Sequence, residues 1–182
     1  MEYKQSAKHT VNGLVTHNAA KNSFSGSRRA MKKSDRISAL IGPPGPATAL
    51  DPHYAGYFTC FNAGQYYEAH DVLEHLWLRC RDGNALFYKG LIQIAGAFVH
   101  LQKQYLHPHH PKHARRLRPA VRLLRLGAQN LAPFTPRHLH LDVAALLLHC
   151  AQLAAEITAA DFARNPWHPA HAPQLELSTR DV

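Results

Sequence analysis

FNAGQYYEAHDVLEHLWLRCRDGNALFYKGLIQIAGAFVH, residues 61–100, sets apolar and aromatic residues at helical spacing and interleaves them with acids and histidines. Tyr66, Ala69, Leu73 and Leu76 recur every three to four positions, which puts their side chains on one face of an α-helix. Tyr67, His70, Glu74 and Trp77 form a second line beside the first, so the helix expected from about Gln65 to Arg81 has two faces to satisfy and reads as central. Glu68, Asp71, His75 and Leu78 fall on the remaining side, expected to be mostly surface, where Asp71 and His75 can pair one turn apart. Residues 81–84, RDGN, carry turn chemistry. Beyond them Phe87, Leu91, Ile94, Phe98 and Leu101 form the inward face of a helix from about Ala85 to Tyr105.

Two helices joined by so short a turn lie antiparallel, so facing positions sum to about 167. Trp77 is then level with Gly90, Glu74 with Gln93, and His70 with Ala97, while His100 comes near Tyr67 and His70. His70, Glu74, Gln93 and His100 thus form a candidate polar cluster, supported by Tyr67, Glu68, Asp71, Trp77 and Gly90. Two imidazoles and one carboxylate, from His70, His100 and Glu74, are a divalent-metal ligand set that leaves positions open for water. A buried network in which Glu74 bonds to Gln93 or His70 satisfies the same groups without an ion, and is the favoured reading. A Glu74–His70 acid and base pair is chemically feasible, but no substrate is indicated. Nucleophile, phosphate-loop, HExxH and dinucleotide motifs are absent, which lowers the expectation of an enzyme; an activity, if present, would be metal-dependent.

Working outward, Asp51 can cap and Pro52 can open a helix carrying Tyr54, Tyr57, Phe58 and Phe61, which Asn62 and Gly64 would end. Downstream, HPHHPKH at 107–113 reads as a loop, because Pro108 and Pro111 break helix. Its His107, His109, His110 and His113 are soft ligands, but the intervening prolines preclude a helical pair, so adventitious binding is the expectation. Helices follow over about Pro119–Leu131, with Val121, Leu124 and Ala128 inward, and Asp142–Asp161, capped by Asp142. Without any β alternation, the expected fold is all-α: a compact antiparallel bundle of about five helices over residues 51–164. Residues 165–182 are expected to form an extended tail.

Residues 1–50 show no sustained period and close on Gly42-Pro43-Pro44-Gly45-Pro46, so they read as a disordered basic arm and hinge. They hold eight basic and two acidic side chains, most of the net +9 charge of the 182-residue chain. Arg28, Arg29, Lys32, Lys33 and Arg36 could meet acidic partners, though a solvated tail accounts for them more simply and is the favoured reading. The N-terminus lacks the apolar centre of a secretory signal, and the longest apolar run, Val143–Leu148, is far short of the roughly 18 residues that span a bilayer. A cytoplasmic protein without a membrane segment is expected. Cys60, Cys80 and Cys150 are odd in number and dispersed, as reduced thiols are.

The run FNAGQYYEAHDVLEHLW with KGLIQIAGAFVH also resembles the domain of unknown function 309 family, small helical proteins found chiefly in prokaryotes. Phe61, Asn62, Gly64 and Tyr66 match its first turn, Glu68, His70, Asp71, Glu74 and Trp77 its EAHE-LE-W helix, and Gly90, Leu91, Ile92, Gln93, Ala95, Ala97 and His100 its GLIQ-A-A-H helix. Asp71 stands where the family often has Glu, and HPHHPKH replaces a short Gly-containing turn. The resemblance implies an all-α fold and carries no established activity. Two other readings compete with a metal or small-ligand site. NAGQYYEAH looks like a tetratricopeptide hairpin, which would suit a protein-interaction or homodimerisation module. Arg115, Arg118, Arg122 and Arg125 share a helix face that could meet nucleic-acid phosphates, a weaker reading because stacking aromatics are missing from it.

Overall fold

Asp51 starts the main helical array: its carboxylate accepts the His53 N–H at 2.8 Å, and Pro52 occupies the first turn of a helix that runs to Asn62. The computed structural model describes residues 33–41 and 50–178. Six α-helices lie within them: α1 (Lys33–Leu40), α2 (Pro52–Asn62), α3 (Tyr66–Arg79), α4 (Ala85–Leu106), α5 (Leu117–Leu131) and α6 (Val143–Ala159). The fold is all-α, as the periodicity predicts. Gly64, at φ +71°, ends α2, with Gly64 N–H donating to Phe61 O and Gln65 N–H to Cys60 O. That left-handed step is cheap for glycine alone. Asp82 Oδ1 accepts the Asn84 N–H at 2.8 Å and closes the turn into α4.

α4 is the centre of the bundle, packed against α3 on one side and α5 on the other. Phe87, Leu91, Ile94, Phe98 and Leu101 are all fully buried, and Tyr57 from α2 donates to the Leu91 carbonyl at 3.0 Å. Tyr57, Phe61, Tyr66 and Phe98 interlock through stacked, edge and tilted ring contacts at 4.9–5.7 Å, and Tyr54 meets Phe87 at 6.0 Å, within the attractive range for aromatic pairs. On the other side, a Cβ on Gly90 would stand 3.0 Å from the Gly127 carbonyl, so these glycines let α4 and α5 touch backbone to backbone.

Two features depart from the expectation. Residues 33–40, read as part of an unstructured arm, form α1, which packs against α3 and buries Ile37. Residues 1–32 and 42–49, including Arg28, Arg29, Lys32 and the proline hinge, lie outside the described residues. A two-stranded hairpin, β1 (Arg137–His138) and β2 (Leu141–Asp142), precedes α6, and Asp142 then caps α6 by accepting the Ala145 N–H at 2.9 Å. Its turn residues Leu139 and His140 have φ of 44° and 66°. Glycine or asparagine normally marks such a turn, and neither is present. The C-terminal segment lies against the bundle: Asn62 exchanges two hydrogen bonds with the Leu175 backbone, and buried Trp167 reaches the Tyr66 hydroxyl at 3.3 Å.

Candidate metal centre

α3 turns Tyr66, Ala69, Val72 and Leu73 into the core, which leaves His70 and Glu74, one turn apart, half-buried beside it. Asp71 is only 7% exposed, the one buried charged side chain among the described residues. This corrects the expectation that Asp71 belongs to the surface. α1, α2 and α4 all pack against α3, so the side assigned to solvent is partly enclosed. His75, expected to pair with Asp71, stacks instead on His53 of α2 with ring centres 4.9 Å apart.

His70 Nδ1 lies 3.3 Å from Asp71 Oδ1, and one ligand atom from each of His70, Asp71 and Glu74 falls within 4.8 Å of the others. Both carboxylates are engaged within the fold. Tyr67, more than half exposed, lies nearly parallel to the His70 ring at 6.5 Å and carries Lys103 of α4 over its own ring at 5.8 Å. Glu68 and Trp77 are half-buried on the same helix. One imidazole and two carboxylates from a single helical turn form a compact, anionic donor set.

Gln93 and His100 do not join it. Gln93 Oε1 accepts from Asn130 on α5 at 2.7 Å, and His100 Nδ1 meets the Arg116 guanidinium at 3.1 Å. The stripe Gly90–Gln93–His100 therefore serves the α4–α5 contact rather than the α3–α4 seam. Summing sequence positions fixes the level at which antiparallel residues sit along the axis, but not which way each helix is rotated. The close contact at Gly90 and Gly127 sets that rotation. Burial, with Arg116 and Lys103 nearby, lowers the His100 pKa below the ordinary histidine value. Arg116, which the sequence reading leaves aside, also donates from Nε to His113 Nδ1 at 2.9 Å.

Arg115, Arg118, Arg122 and Arg125 are exposed. Arg118 is held over the Phe162 ring at 4.1 Å and lies 3.8 Å from Asp161. Beside Arg125, a cleft of about 390 Å³ runs between α5 and α6, floored by Leu124, Ala128, Cys150 and Ala154. Cys150 is buried, and desolvation raises its thiol pKa to about 12, which keeps it an inert thiol. No helix among the described residues is long and apolar enough to cross a membrane.

Residues 54–109 match the model of a domain of unknown function, DUF309, a span that holds most of α2, all of α3 and α4 and the start of the following loop, and with them the whole His70–Asp71–Glu74 cluster. No curated protein and no solved structure matches the chain.

Proposed function

We propose that this chain, whose residues 54–109 match the DUF309 family model, binds a divalent cation through His70, Asp71 and Glu74. The observation that carries the reading is the convergence of their three ligand atoms within 4.8 Å on one half-buried turn of α3. Donors on a shared ion at about 2.1 Å each can be at most about 4.2 Å apart, so small side-chain rotations close the set. Mixed nitrogen and carboxylate donors suit manganese, iron or zinc better than magnesium or calcium. Three protein ligands leave room for water, the arrangement in which a bound ion can act on a small molecule. His70 and Glu74 keep the role their spacing suggests, and Asp71 takes the place assigned to His100.

A charge-satisfying network without an ion is the second reading, favoured by the His70–Asp71 contact and the engagement of both carboxylates. Titration of chelator-stripped protein with manganese separates the two. Stoichiometric uptake, weakened roughly tenfold or more by Asp71→Asn and by Glu74→Gln, supports the metal centre. Absence of saturable uptake, with those variants lowering stability alone, supports the network.

A further inference from the structure

We infer that His107, His110 and His113 form a separate zinc-binding triad in the loop between α4 and α5. HPHHPKH contains two overlapping His-Pro-x-His units, His107–His110 and His110–His113. Proline at the second position presets the φ that a β-turn needs there, so each unit encodes a turn that begins and ends on histidine. Both turns form: His110 N–H donates to His107 O at 3.2 Å, and His113 N–H to His110 O at 2.9 Å. Successive three-residue steps return side chains to one side. The three rings accordingly cluster, with centres 4.4, 5.6 and 6.4 Å apart. His109, third in the first turn, falls between the positions that the repeat brings together.

Three imidazoles on one tetrahedral zinc, each nitrogen about 2 Å from the ion, place their ring centres roughly 5 Å apart, and the observed spacings bracket that value. The donor set is neutral and all nitrogen, and Lys112 and Arg116 flank it, so it selects zinc or a similar borderline ion over oxygen-seeking magnesium or calcium. His110 Nδ1 now accepts the Lys112 N–H at 3.1 Å, and His113 Nδ1 accepts from Arg116. Ligation turns these rings and releases both donors, which the exposed loop leaves open to water. The prolines that rule out a helical pair thus bring the three rings to one side of the loop, and a bound ion would pin the connection between α4 and α5.

The test is calorimetric titration of full-length, chelator-stripped protein with zinc chloride in a His70→Ala background, repeated in a Glu74→Gln background. Each background silences the α3 cluster, so the two sites fail independently. One saturable equivalent is expected, with affinity falling roughly tenfold or more in His107→Ala, His110→Ala or His113→Ala and by less than about twofold in His109→Ala. A zinc-dependent rise in melting temperature should disappear in the same three variants. No saturable zinc, or a His109→Ala loss as large as that of His110→Ala, would mean adventitious binding by surface imidazoles and overturn the assignment.

Discussion

His149 on α6 has its Nε2 buried with no hydrogen-bond partner among the described residues, while its ring lies parallel to Phe98 at 6.4 Å. Replacing it by leucine, of similar volume, removes the orphaned polar atom. Leaving such an atom buried and unpaired costs about 1–3 kcal/mol. Leucine adds a few tenths of a kcal/mol of helix propensity and loses a ring contact near the outer limit of the aromatic range, worth about 0.5 kcal/mol. His149→Leu should therefore be more stable by about 1 kcal/mol near neutrality, a rise of roughly 2–4 °C in Tm for a chain of this size. Desolvation also lowers the His149 pKa in the folded state. The unfolded chain then binds the proton more readily, so the stability at stake is fully present above about pH 6.5 and lost as pH falls through the lowered folded value. His53, His100 and His138 shift the same way, each chiefly by desolvation, so the variant keeps part of the slope. Urea denaturation followed by circular dichroism at about pH 7.5 and about pH 5.5 measures both effects. A variant less stable than the parent at both values, or one with the parent's full pH slope, would refute the reasoning.

Gly127→Ala should cost about 1–3 kcal/mol, because its Cβ would stand 2.8 Å from Ile94 Cγ1 and 2.9 Å from the Gly90 carbonyl. Gly83→Ala, with nothing within 4 Å, is the matched control expected to stay within about 0.5 kcal/mol of the parent in the same denaturation experiment. Asp142→Ala removes the α6 cap and should lower stability by about 1 kcal/mol, with Asp142→Asn retaining most of it. Asn62→Ala cuts both hydrogen bonds to the Leu175 backbone, so amide exchange should accelerate around Leu175 while the buried face of α4 keeps its protection.

The readable parts of this chain are those in which a single residue performs a local task. Asp51 with Pro52, Gly64 and Asp142 mark helix ends by capping, by a fixed φ or by a left-handed step, and each does so here. The buried line Phe87–Leu91–Ile94–Phe98–Leu101 is legible because hydrophobic spacing and core position are one fact viewed twice. Helix rotation is a tertiary quantity. Gln93 and His100 turn toward α5 because Gly90 meets Gly127 and because Asn130 and Arg116 offer partners, none of which the spacing within α4 discloses. Leu139 and His140 likewise adopt positive φ without the glycine or asparagine that would announce the turn.

The α3 cluster and the α4–α5 loop show the same division in their chemistry. His70 and Glu74 share a face by helical period, and Asp71, three residues before Glu74, comes within reach by the same period, whereas its burial depends on the helices packed against α3. In the loop, proline is a helix breaker when each residue is weighed alone. As a repeated second position of His-Pro-x-His it becomes a device for aligning imidazoles, and the turn hydrogen bonds at His110 and His113 are the physical form of that repeat. The two donor sets also differ in charge, two carboxylates with one imidazole against three neutral imidazoles. A manganese-to-zinc preference that changes between His110→Ala and Glu74→Gln proteins would therefore follow from ligand chemistry alone. If both variants shifted the two metals equally, the donors would be acting as one diffuse surface rather than as two sites.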